Sequence, residues 1–65
     1  MFAIVRRKEG EKSELVDRKA TRAEAGDVAR GASTADTAAV FEVMDEDDFW
    51  NLLERWTGGK RSSTS

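Results

Sequence analysis

Residues 45–56 read DEDDFWNLLERW. Four carboxylates run into a segment with two tryptophans, a phenylalanine and a Leu-Leu pair. Phe49, Leu52, Leu53 and Trp56 fall at i, i+3, i+4 and i+7, the spacing of one helix face. Asp45 precedes that pattern as a natural N-cap, with Asp48 at the third helical position. Met44 and Phe49 are placed to form a hydrophobic staple across the cap. Glu46 and Asp47 fall in the first turn, where negative charge complements the helix dipole. The stretch therefore predicts a second helix, ended by Gly58 and Gly59. On this reading every acid of DEDD has a structural role. A divalent-cation loop is the rival, since Mg²⁺ and Ca²⁺ take oxygen ligands. Counted from Asp45, however, an EF-hand would need Gly where Trp50 stands and Glu where Trp56 stands. Successive helical carboxylates also diverge by about 100°. Neither a metal nor a cofactor is expected.

Trp50 is left off the apolar helix face, beside Glu46, Asp47 and Glu54. A tryptophan there wraps the margin of the core or anchors another chain, because Trp and Arg dominate interface hot spots. Met44 and Val40, on the outward face of the preceding strand, would extend the same patch. The expected partner-binding set is Trp50, Glu46, Asp47, Glu54 and Met44.

Upstream of this stretch the pattern is clearer. FAIVRRK (2–8) predicts a buried first strand, and KEGEK (8–12) a turn around Gly10. SELVDRKA (13–20) predicts an edge strand hairpinned to the first, with a short helix as the competing assignment. TRAE (21–24) is a capping box opening a helix over RAEAGDVARGA, with Ala25, Val28, Ala29 and Ala32 on one narrow stripe. Gly31 is read as its end. So small a stripe requires close packing, and Gly26 suits a tight approach to a sheet. TAAVFEVM (37–44) predicts a strand with Ala39, Phe41 and Val43 toward the core and Val40, Glu42 and Met44 away from it. The expected architecture is α+β: a small sheet of about three strands with two helices on one face, in the order β-β-α-β-α. One domain would span residues 1–57, and residues 58–65 (GGKRSSTS) would form a disordered polar tail.

Composition narrows the chemistry. The 65 residues contain no Cys, His or Tyr. That removes disulfides, thiolate nucleophiles, imidazole ligands and the usual general base near neutral pH. No Gly-rich phosphate loop is present, and the serines lack a partner base, so an enzyme is not expected. Two routes to stability remain for so short a chain: one compact core, or a homodimer or partner complex that completes one. Charge is polarised along the sequence. Residues 1–31 carry a net +2, residues 32–57 a net −6, and residues 58–65 a net +2. No apolar run approaches the roughly 18 residues that would span a bilayer. Charges follow the apolar start, the wrong order for a secretion signal. No membrane association is expected, and a cytoplasmic location is the default.

AAVFEVMDEDDFWNLLERW (38–56) resembles the end of the DNA-binding part of Phd/YefM-type antitoxins, in which a strand runs into an acidic helix start followed by an aromatic and a Leu-Leu pair. The resemblance covers 19 residues. It departs from the family in lacking a long amphipathic helix ahead of a tight basic hairpin. What it implies is a DNA-binding, toxin-neutralising dimer.

The first functional expectation is a small non-enzymatic module that binds a larger macromolecule, most naturally a protein. It would act as a regulator or inhibitor of the phage or mobile-element type. The second is a dimeric antitoxin-like DNA binder using Arg6, Arg7, Lys8, Arg18 and Lys19. The third is an acidic nucleic-acid mimic, which requires Asp45–Asp48 to converge with Asp36, Glu42 and Glu54.

Overall fold

The structure, a computed structural model, describes residues 1–63. Strands β1 (Phe2–Arg7) and β2 (Glu14–Lys19) form an antiparallel hairpin whose turn places Gly10 at φ +80°. Helix α1 (Arg22–Ala35) crosses to β3 (Val40–Asp45), which returns antiparallel beside β1. A single 3-10 turn, Glu46–Asp48, leads to β4 (Asn51–Thr57), and β5 (Lys60–Ser63) closes the sheet. The strand order is β2-β1-β3-β4-β5, antiparallel at every pairing.

Among the described residues, five strands and one α-helix thus replace the expected three strands and two helices. The expected second helix is β4. Its residues pair Phe41↔Trp56, Glu42↔Arg55 and Val43↔Glu54, then slip by a bulge at Leu53 before Met44↔Leu52. Within the stretch assigned to a tail, Lys60–Ser63 pair with Glu54–Thr57 through backbone groups that need no apolar side chain. Thr64 and Ser65, the remainder of that expected tail, lie outside the described residues.

Helix α1 begins as its sequence dictates. The Thr21 hydroxyl accepts from the Glu24 backbone N–H at 3.2 Å and lies 3.1 Å from the Glu24 carboxylate. The helix runs past Gly31 to the cap at Asp36, whose N–H donates to the Ala32 carbonyl. Gly31 is therefore not the stop. Ser33, fully buried, donates to the Arg30 carbonyl and accepts from the Gly59 backbone N–H at 2.9 Å, tying the helix to the β4–β5 turn.

The core lies between α1 and one face of the sheet. Ile4, Phe41 and Val43 from the strands meet Ala25 and Ala29 from the helix, with Ala39 closing one end and Phe2, Val28, Ala32 and Trp56 around them. The expected inward set Ala39, Phe41 and Val43 is therefore inward. Among the described residues no helix lies over the opposite sheet face. That face carries Val5, Leu15, Val40, Met44 and Leu52 by strand alternation, crossed by an ion-paired row. In that row Glu42, almost fully buried, is held between Arg7 and Arg55. Among the described residues no helix is long and apolar enough to cross a membrane.

At Gly59 φ is +79°, and an added Cβ would lie 2.5 Å from Thr34 Oγ1. At Gly58 φ is +56°, with open space around it. Gly58→Ala should cost about 1 kcal/mol from the backbone alone, and Gly59→Ala roughly 2–3 kcal/mol. Adding Thr34→Ala should recover part of the second loss and none of the first, as read by urea denaturation.

Candidate functional site

The β3–β4 connection spends carboxylates on its base and aromatics on its tip. Asp45 caps the 3-10 turn, its side chain accepting from the Asp47 backbone N–H at 3.0 Å. The expected cap is therefore real, but it opens one short turn instead of a helix. Glu46 is pinned twice. Its backbone N–H donates to the Met1 carbonyl at 3.1 Å, and its carboxylate receives a two-pronged contact from Arg18 at 2.8 and 2.9 Å. That contact holds the Arg18 guanidinium pKa above its ordinary value. Asp47, 86% exposed, pairs with the Met1 amino group at 2.8 Å.

Beyond this base the chain turns through two consecutive left-handed residues, Phe49 at φ +52° and Trp50 at φ +57°. Positive φ at both central positions is the geometry that hairpins normally give to Asn-Gly, because a Cβ crowds the carbonyl there. Phe49 is 96% exposed and Trp50 50% exposed. The staple expected between Met44 and Phe49 does not form, since Phe49 projects into solvent. The loop thus presents two large apolar rings on a pinned acidic base, with Asp47 and Asp48 exposed beside them.

Of the expected partner-binding residues, Trp50, Glu46 and Asp47 come together on this loop. Met44 lies half-buried on the open sheet face opposite Leu52. Glu54 is elsewhere, buried against the helix. Phe49, outside the expected set, stands beside Trp50 on the loop. Periodicity concealed Phe49 by counting it with the core face, and only the local chemistry of a turn flanked by DEDD could have flagged it. The cations expected to meet nucleic acid are all committed. Arg6 pairs with Asp36 and Glu11, Arg7 with Glu42, Lys8 with Glu11, Arg18 with Glu46 and Lys19 with Asp17. The convergent acidic surface required of a mimic is not formed. Glu42 and Glu54 are buried on opposite faces of the sheet, and Asp36 sits at the helix end facing Arg6. Among the described residues no three acids are grouped to hold a metal ion.

The strand-to-helix junction on which the antitoxin resemblance rests is a β-hairpin in this fold. Comparison of the chain with protein-family models, with curated proteins and with solved structures gave no match.

Two measurements bear on the loop. Replacing Phe49→Asn together with Trp50→Gly should raise stability by about 1–2 kcal/mol, because it relieves two left-handed non-glycine residues. Trp56→Ala should lower it by about 2–3 kcal/mol through lost packing. Thermal melts of the two variants should therefore move in opposite directions. In the Met1–Asp47 pair, the hydrogen bond and charge of the amino group hold the Asp47 carboxyl below 3.8, and Asp47 raises the amino group above 8.0. The pair's small contribution is complete between those two reference values. It is lost as pH falls through the lowered carboxyl value or rises through the raised amine value. NMR titration of wild type and Asp47→Asn should show the amine midpoint falling in the variant.

Proposed function

We propose that this chain is a small non-enzymatic interaction module that binds a larger protein through the β3–β4 loop, in the manner of a regulator or inhibitor. Phe49 and Trp50 are the anchors, and Asp47 and Asp48 form the polar rim. One observation carries the reading: a phenylalanine 96% exposed, next to a half-exposed tryptophan, with both backbones in the left-handed region. Folding gains little from burying either ring and bears the cost of both backbones. Strain of this kind persists where the surrounding structure enforces it, and it concentrates at binding sites. Aromatic anchors on a preorganised turn lose little entropy on docking, and insertion of two rings into a partner's pocket is the usual form of an interface hot spot. Commitment of Arg6, Arg7, Lys8, Arg18 and Lys19 to internal carboxylates favours a protein partner over the phosphate backbone of DNA.

The reading is tested by affinity capture from the source cells with mass-measured stoichiometry, using wild type and the Phe49→Asn/Trp50→Gly variant side by side. A protein retained in fixed ratio by wild type and lost by the better-folded variant supports it. Equal retention by both removes the loop from the interface.

A further inference from the structure

A hollow of about 390 Å³ lies between the first turns of α1 and strands β4 and β5, lined by Arg22, Ala23, Gly26, Asp27, Glu54, Trp56 and Arg61. Its size is within the range of small-molecule sites. Its floor is built from a buried charge. The Glu54 side chain, 7% exposed, receives Arg22 Nε at 2.7 Å on one oxygen and the Trp56 indole N–H at 2.9 Å on the other. An added Cβ at Gly26 would stand 3.1 Å from that second oxygen, so the missing side chain keeps the floor open. Arg22 also donates to the Leu53 carbonyl, which fixes the guanidinium plane and leaves part of its N–H edge uncommitted. The lining holds two guanidiniums and two carboxylates, which sum to zero, but they are not all paired with one another. Glu54 is matched by Arg22, and Asp27 lies 3.8 Å from Arg30, but the Arg61 side chain has no hydrogen-bond or ion-pair partner among the described residues. The hollow therefore sets a pre-ordered guanidinium and an unpaired one beside an indole wall.

We infer that this hollow binds a small organic anion with a flat apolar body, its carboxylate held by Arg22 and Arg61 and its body against Trp56. Arginine matches a carboxylate through paired N–H donors, and the fixed member of the pair gives the site its orientation. The aromatic wall supplies the contact that a bare inorganic anion cannot use. The site is independent of the β3–β4 loop and contains none of its residues.

Binding is read from the indole N–H resonance of Trp56 in ¹H–¹⁵N spectra, in a Trp50→Phe background so that one indole signal remains. Indole-3-acetate should shift it saturably in the millimolar range. The uncharged indole-3-acetamide should bind roughly tenfold more weakly, the loss expected for one charge-assisted hydrogen bond. Arg61→Ala should bring the acid down to the level of the amide while the rest of the spectrum stays in place. Gly26→Ala should weaken both ligands alike by filling the floor, and equal acid affinity in that variant would remove the hollow from the interaction. Equal affinity of acid and amide, no saturable shift, or an equal response to inorganic phosphate would overturn the proposal. So would Trp56 shifts that grow with protein concentration alone and vanish in the Phe49→Asn/Trp50→Gly variant. That pattern would assign the hollow to the acidic aromatic loop of a second copy.

Discussion

A buried carboxylate organises this molecule. Glu54 points from β4 toward the helix, opposite Val43 in the register, into space that an apolar residue would otherwise fill. Taking a carboxylate out of water is expensive unless its oxygens are met by donors. Here one oxygen is met by Arg22 from the first turn of α1 and the other by Trp56 two residues along the same strand. Those contacts fix where the helix starts over the sheet. They require Gly26 at the closest approach, and they orient the indole that closes one side of the core. Glu42 repeats the device on the opposite face, held by Arg7 from β1 and Arg55 from β4. Three adjacent strands are thereby cross-linked without help from a second layer.

Internal pairing has a consequence for the surface. Most of the basic half of the sequence is consumed by structural carboxylates, so the polarity visible along the chain is largely neutralised in space. What stands out is local. The loop after β3 is pinned at Asp45, Glu46 and Asp47 by a cap, a backbone bond and two ion pairs, and its tip carries rings that the core does not use. A rigid base under an exposed apolar tip is what an anchor needs, because little freedom is lost on docking. The hollow beside Trp56 is made by the Glu54 cluster and is separate in composition from that loop.

Most of the first forty-four residues could be read from sequence because their local and tertiary preferences agree. The strands at Phe2–Arg7 and Glu14–Lys19 and the Thr21–Glu24 box appear where their residue types place them, whereas the third strand, expected over residues 37–44, begins only at Val40 because residues 37–39 turn the chain off the end of the helix. The helix overran Gly31, because that glycine keeps ordinary helical backbone with open space where a side chain would stand, and buried Ser33 has a partner waiting in Gly59. At the site, Trp50, Glu46 and Asp47 were legible as a patch. Phe49 was not, because a phenylalanine at helical spacing counts as core in any periodicity argument.

By itself, then, the sequence determined a two-stranded start, a capped small-residue helix, a third strand with Phe41 and Val43 inward, and a chemistry without thiol or imidazole. Whether DEDDFWNLLERW would be helix or hairpin was decided only by tertiary structure. Its spacing fits a helical face if Glu54 is assumed to seek water, and a strand if Glu54 and Trp56 share the inner face. Arg22, thirty-two residues away, settles that choice by meeting the carboxylate in the interior. With β4 in place, its free edge offers unpaired backbone groups to Lys60–Ser63, and a stretch without one apolar side chain becomes the fifth strand. Once β3 and β4 are paired, their connection must turn within five residues, and that places Phe49 and Trp50 in solvent.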